Sequence, residues 1–463
     1  MALAPAMTGP AEIPAPGDDT TAVQPWPKRS TAWIAVSIFA FILMFAELER
    51  GIFTLLVTPI KRDLHLSDTQ MSLILGFSLV VFYAVVSIPL SRFVDTMKRN
   101  VILSIGIAIG ATMTAACGLA NSFAQLFLCR VLVGAGGAVH GPGTYSLMAD
   151  YFPREKLPRA IAVLQIGYIG GGSFALVFGG MLIGALSKQP TFNLPIVGTV
   201  HSWQAVLMAV GLPGLLVALI MRAVPEPPRR GRISTTNKTI PFRTVAAILG
   251  KNWRVYAPLF LGLSFSAVES LGIRSWAPVF FQRTYGWDAQ QTGAVLGTAQ
   301  LIGWPIGLAF GTWLTERLSR HHNDANLRVV VVAYALTAPC AILGPLMPNP
   351  WLAVVLSAAS GAFGMASAVP INAALQSVTP NEMRGQVTAL FLFIFAVIGG
   401  GLGPTFIALI TDYVLRDEQL IRYAMSGSAA VMTPLATLVI WLGLGRYGQA
   451  IGEVKERERL GLA

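Results

Sequence analysis

Apolar residues in this chain come in long runs rather than in alternation or in narrow helical stripes. The runs cover 31–58, 70–94, 101–120, 123–150, 158–187, 202–224, 254–284, 289–318, 328–346, 351–378, 385–414 and 420–446. A helix needs about 20 apolar residues to cross a bilayer. The pattern therefore predicts an all-α membrane protein with twelve spanning helices, numbered here as spans 1 to 12. The spans near 30 residues must tilt or protrude. Residues 1–30 are rich in Ala, Pro, Asp and Thr. They read as a disordered cytoplasmic tail, and no short apolar region ending in a cleavage site marks them as a signal peptide. The longest polar connection, 225–253, opens Pro225-Glu226-Pro227-Pro228-Arg229-Arg230-Gly231-Arg232. It divides the chain into two six-helix bundles, 31–224 and 254–446, with 447–463 as a second cytoplasmic tail.

Composition sharpens this picture. Of 463 residues 54% are hydrophobic and only 12% charged, against about a quarter charged in a soluble domain. A disordered chain, a disulfide-rich module and an ordinary cytosolic enzyme are excluded. The net charge of +11 would suggest nucleic acid in a soluble protein, but here position decides. With the N-terminus placed in the cytoplasm, the tails and inward connections, counted with the span ends that adjoin them, hold 24 Lys and Arg, the outward ones counted likewise hold 6, and Arg50, Arg130 and Arg274 lie deep inside spans. That four-to-one bias obeys the positive-inside rule and puts both termini in the cytoplasm. Cys117, Cys129 and Cys340 all sit in apolar runs without a CxxC pair, so neither a metal site nor a disulfide framework is indicated. No nucleotide-binding fingerprint follows a strand, no cofactor is implied, and no nucleic-acid partner is expected.

The two halves look related. A gapless shift of residues 51–99 by 221 places Gly51-Ile52 on Gly272-Ile273, Arg62 on Arg283, Gln70 on Gln291, Leu75-Gly76 on Leu296-Gly297, and Arg99 on Arg320, with Asp95 over Glu316. Two further motifs sit on this frame. The 2–3 connection reads Ser91-Arg92-Phe93-Val94-Asp95-Thr96-Met97-Lys98-Arg99-Asn100, and its repeat, ending Glu316-Arg317-Leu318-Ser319-Arg320, keeps the acid–Arg pair. Span 4 contains Arg130-Val131-Leu132-Val133-Gly134-Ala135-Gly136. These stretches resemble the G-x-L-a-D-R-x-G-R-R and R-x-x-x-G-x-G signatures of the major facilitator superfamily, with Ser91 and Thr96 departing from the first. Within it the chain is most similar to the Spinster-like lipid transporters. The resemblance rests on Glu47-Leu48-Glu49-Arg50 in span 1, Trp276-Ala277-Pro278-Val279-Phe280 in span 7, and Pro380-Asn381-Glu382-Met383-Arg384-Gly385 with Gly401-Leu402-Gly403-Pro404 and Thr411-Asp412-Tyr413 around span 11. Glu49 stands where Spinster-like chains carry aspartate. Span 5 lacks the Gly-Pro pair of drug/proton antiporters, which Gly403-Pro404 echoes only in span 11.

Ionisable residues at membrane depth are expensive and need partners or water. Span 1 has three in four positions. Glu47 and Arg50 are i,i+3 and share a face, whereas Glu49 points elsewhere. At 1.5 Å per residue Glu49 and Arg130 lie at nearly one depth, which predicts an acid–Arg site between spans 1 and 4. Glu49, Glu47, Arg130 and His140 are thus the proton-coupling candidates. A static ion pair, and for His140 a satisfied polar residue at a Gly/Pro kink, are the bland alternatives. Arg50, Glu269 and Arg274 are candidates for substrate binding, Arg274 being equally able to snorkel to the outer interface. Tyr145, Gln165, Tyr168, Gln300, Asn372 and Gln376 could face a cavity or bond between helices. Asp95, Arg99, Glu316, Arg317 and Arg320 are either solvated loop charges or, as the resemblance implies, a conformational latch.

The resemblance implies a monomeric proton-linked carrier for an amphipathic anionic lipid, such as a lysophospholipid or sphingoid phosphate, working by alternating access in the bilayer. The alternatives are a soluble organic-anion symporter or drug antiporter of the same superfamily, and a lipid scramblase or membrane enzyme.

Overall fold

The computed structural model describes residues 26–80, 97–153, 155–195, 198–229, 242–380 and 383–460. Asp95, most of span 2 and Asn381-Glu382 lie outside them, so the twelve-span expectation extends beyond the described chain. Among the described residues, ten helices are long and apolar enough to cross a membrane, and Phe123–Gly137 is a shorter apolar helix. The helices keep the numbers of the expected spans. Span 1 is Arg29–Leu55, span 3 Arg99–Cys117, span 5 Leu157–Leu186, span 6 Ser202–Ala223, span 7 Trp253–Tyr285, span 8 Ala289–Ser319 and span 9 Ala325–Leu346. Spans 10, 11 and 12 are Pro350–Val378, Arg384–Leu415 and Glu418–Glu456. Prolines lie inside several of them, such as Pro213, Pro258, Pro305 and Pro434. Packed neighbouring helices make that tolerable in a membrane bundle.

The repeat is written into the turns. Span 1 and a short helix after it end at His65, and span 7 ends at Gly286; both residues are left-handed, at φ 51° and 69°. His65 and Gly286 are related by the same 221-residue shift. The next helices start alike. Ser67 caps span 2 by accepting from the Gln70 amide, and Asp288 caps span 8 by accepting from the Gln291 amide. Each satisfies amides that a helix start leaves without partners. Gly76 and Gly297 repeat a third contact. A Cβ on Gly76 would overlap the Gly400 carbonyl of span 11, and one on Gly297 would overlap Ser173 of span 5. Spans 2 and 11, and spans 5 and 8, therefore cross with their backbones touching, and these two crossings join the halves.

Four features differ from the sequence expectation. Span 4 is broken at Ala138-Val139 into Phe123–Gly137 and His140–Tyr151. The 5–6 connection forms a two-stranded antiparallel hairpin, β1 (Thr191–Leu194) with β2 (Gly198–His201), so the fold is not wholly helical. The linker 225–253 contains a helix, Phe242–Lys251, with Val245 buried in the C-terminal bundle. The last helix runs on to Arg459, with Tyr447 and Ile451 buried, so 447–460 is not a free tail.

The core divides in an informative way. One cluster spans both halves and takes in Ile52, Phe53, Met71, Ile74, Trp203, Trp276, Phe280 and Ile407. Toward the other face there are two separate clusters. One, with Phe39, Leu103, Leu147 and Leu164, belongs to the N-terminal half. The other, with Leu263, Tyr334, Leu375 and Phe391, belongs to the C-terminal half. The halves are fused at the expected outer face and separate at the expected inner one.

Candidate functional site

Where the fused core ends, a cavity of about 360 Å³ lies between the halves. Its charged lining is Glu47 and Arg50 from span 1, Arg130 from span 4 and Arg274 from span 7. Leu75, Leu79, Leu176, Leu271, Leu296 and Phe395 supply apolar wall, and Tyr168 and Gln300 add polar groups. Spans 2 and 11 meet the cavity through π-helical turns, Leu73–Phe77 and Phe395–Leu402.

Glu47 is the hub. Arg50 Nη1 donates to its Oε1 at 3.0 Å, and Arg274 Nη2 donates to its Oε2 at 3.1 Å. The first bond follows from the i,i+3 spacing. The second crosses from one half to the other. The Arg274 guanidinium also lies 5.1 Å from the Trp304 ring centroid, within cation–π range. Arg274 is therefore a cavity residue, not a snorkelling one, and its partner is Glu47.

Arg130 is 2% exposed. Among the described residues it makes no ion pair, and its Nε has no hydrogen-bond partner. Its guanidinium lies 4.2 Å from the Phe53 ring centroid. The expected Glu49–Arg130 pair is thus not formed. Glu49 is buried, faces Thr114 of span 3 and Arg130 from outside the main cavity, and its Oε1 has no hydrogen-bond partner among the described residues. Glu49, Arg50 and His140 line a second, smaller cavity of about 30 Å³, room for a water molecule. Arg50 lines both cavities.

The remaining candidates divide. Tyr168 and Gln300 reach the main cavity. Tyr145 is half exposed and lines neither cavity, and Asn372 lines neither while donating to the Ala368 carbonyl at 2.8 Å. Glu269 is buried in the C-terminal half, away from both cavities. Arg99 is buried against Asp150 and Glu226 and donates to the Ser146 hydroxyl at 2.9 Å, all within the N-terminal half and linker. Glu316, Arg317 and Arg320 are exposed, with Arg317 over the Trp313 ring.

At the expected outer rim, ahead of span 2, lies a group that the sequence reading missed. Asp68 is fully buried and accepts from Arg283 Nη1 and Nη2 and from Lys61 Nζ, each at 2.8 Å. Lys61 also reaches Glu418. Thr69 donates its amide and hydroxyl to Asp412 Oδ2, both at 2.7 Å, and Thr58 donates to Gln282. Burial alone would raise the Asp68 carboxyl, but Arg283 and then Lys61 hold it below its ordinary value of 3.8. The match of Arg62 to Arg283 in the repeat was the only sequence signal for this seal. Among the described residues no ion pair or side-chain hydrogen bond joins the halves at the inner face.

The Major Facilitator Superfamily profile matches residues 39–446. An MFS-type efflux pump of Mycolicibacterium smegmatis is 28% identical over 434 residues, 92% of this chain and 95% of its own. Spinster homolog 3 of Mus musculus is 24% identical over 422 residues, 85% of this chain and 78% of its own. The crystal structure of a bacterial homolog to the human lysosomal transporter Spinster, inward-facing and unoccupied, superposes with a TM-score of 0.74 at 23% identity. It covers 93% of this chain and 99% of that one.

Proposed function

This chain belongs to the Major Facilitator Superfamily and is a multi-pass membrane transporter, and on that premise we propose that it carries an amphipathic anion, coupled to protons through the acids of span 1. The observation that carries the reading is the charge of the cavity: three guanidinium groups and one carboxylate in an otherwise apolar wall. Arginine suits phosphate and carboxylate through its bidentate fork. Arg130 faces such an anion with, among the described residues, no ion pair to give up. Arg50 and Arg274 become available when Glu47 is protonated or displaced. Glu49 joins the same unit through Arg50 and the small cavity it shares with His140.

The lipid class, lysophospholipid or sphingoid phosphate, fits the apolar wall. A long tail would have to leave a cavity near the small end of ligand-site volumes. That size favours one second reading, a compact organic anion. A cationic drug is opposed by the excess of arginine. In the opposite conformer Asp95–Arg99 and Glu316–Arg320, with Arg317, would brace the inner face. Both termini would lie in the cytoplasm, as the Lys/Arg distribution supports, in a monomer.

The test is flux in proteoliposomes holding a pH dye. Lysophospholipids, sphingoid phosphates, aromatic carboxylates and cationic drugs are each offered to wild type and Glu49→Gln. Proton movement driven by the lipids alone, and lost in the folded variant, is the expected result. Movement driven by the carboxylates would replace the lipid with a soluble anion. Unchanged pH dependence in Glu49→Gln would remove that acid from coupling.

A further inference from the structure

Glu269 is 4% exposed in the middle of span 7 and lines neither cavity. Among the described residues it makes no ion pair, and no described hydrogen bond reaches it. Tyr334 of span 9 interacts with it electrostatically, and the same hydroxyl interacts with Ser266 of span 7 and Ser367 of span 10, whose own hydroxyl donates to the Gly364 carbonyl. Span 11 packs on this stretch with glycines, Gly399 against Ala267 and Gly403 against Val268, and span 12 with Ile440 against Gly262. The charges of span 1 are engaged elsewhere: Glu47 with Arg50 and Arg274, Glu49 toward Thr114 and Arg130. Arg274, five residues on, is held by Glu47. So, among the described residues, no cation pairs with this carboxylate.

An ionised carboxylate in such a place is costly to bury, whereas the neutral acid can donate to a hydroxyl. The N-terminal half has a counterpart. Glu49 also lies behind the cavity-facing side of its helix, toward span 3, which the repeat relates to span 9. The 221-residue shift carries Glu49 to Ser270, next to Glu269.

We propose that Glu269 is a second proton-carrying site, owned by the C-terminal bundle and separate from the span 1 acids. Loaded, its carboxylic O–H donates toward the hydroxyl cluster of Tyr334, Ser266 and Ser367. Unloaded, the proton passes to water through that cluster, leaving the carboxylate to accept from it. The proposal builds on the proton-coupled reading above, but its test needs no transported substrate.

The test is infrared spectroscopy of the full chain in liposomes, following the C=O stretch of protonated carboxyl groups from acid to alkaline pH. Wild type is expected to show a band that fades as pH rises, is missing in Glu269→Gln and survives in Glu49→Gln. Tyr334→Phe, a mild change, should shift its frequency, and it decides the matter if Glu269→Gln fails to fold. A spectrum indifferent to Glu269→Gln, or a frequency indifferent to Tyr334→Phe, would overturn the proposal. A Glu269 band constant at every pH would make it a static neutral acid, and a band abolished by Na⁺ at fixed pH would make it a sodium site. Failure of the span 1 reading is seen separately, as pH-dependent flux retained in Glu49→Gln.

Discussion

The two ends of this bundle are built from the same repeat and behave oppositely. At the end expected to face outward the repeat supplies Arg62 and Arg283. Arg283 is buried and grips Asp68 across the two halves, while Arg62 is exposed and, among the described residues, pairs only with its neighbour Asp63. Around the buried member the two halves share one core. At the inner end the repeat supplies Arg99 and Arg320. Arg99 is buried but bonds within its own half and the linker, and Arg320 is exposed. There the core is split in two. A repeated residue therefore carries no fixed role. What decides is whether its partner stands on the same bundle or on the other one.

That contrast can be broken at the outer end first. Asp68→Ala leaves Arg283 and Lys61 without their shared carboxylate, and losing one partner of a buried pair costs about 3–5 kcal/mol. The expected result is a strong rise in labelling of a Thr58→Cys probe by an impermeant maleimide added outside. Arg62→Ala, the repeat mate of Arg283, should leave that labelling unchanged; equal effects of the two would dissolve the distinction. Next in size is Arg130→Ala, which removes a buried cation from the cavity. Hydrogen bonds to charged groups are worth about 1.5–3 kcal/mol. Calorimetric affinity for an anion should therefore drop by roughly tenfold or more, with little change for neutral analogues.

A smaller effect is expected from pH. The Asp68 carboxyl is held below 3.8 while the seal is closed. An opened seal would return it toward that ordinary value. A depressed carboxyl stabilises the state that depresses it above the ordinary value, and that contribution is lost as pH falls through the lowered one. Labelling at Thr58→Cys should thus be flat from neutral to mildly acidic pH and rise only below about 4. A rise already near neutrality would place the sensitive group elsewhere. Smallest of all, Glu316→Gln and Arg320→Ala should change thermal stability of this conformer by less than about 0.5 kcal/mol. A large loss would mean that these exposed residues already brace the inner face.

Much of this fold was legible because apolar length reports directly on the bilayer. The Glu47–Arg50 pair was legible because i,i+3 geometry is local. Other pairings were not. Depth along two helices placed Glu49 and Arg130 at one level, but depth says nothing about rotation, and Glu49 turns toward Thr114. Glu269 and Arg274 are near in sequence, yet Arg274 crosses to the other half. Asp68 was passed over because an acid ahead of a span reads as a solvated loop charge, and only the packing of Arg283 and Lys61 buries it. The hairpin strands do alternate, as in Thr191-Phe192-Asn193-Leu194, but four residues is the shortest run in which alternation counts as a signal. The extension of the last helix was hidden by polar composition, since its burial depends on single residues such as Tyr447.

The π turns of spans 2 and 11 have a mechanical consequence. Each winds more residues into one turn than an α-helix holds, and the two are in contact where Gly76 meets Gly400. Rewinding either to α geometry would rotate the chain beyond it by about 100° per residue released. Because Leu75, Phe395 and Ala396 are cavity residues within these turns, such a screw motion would change which side chains face the cargo without moving a whole bundle.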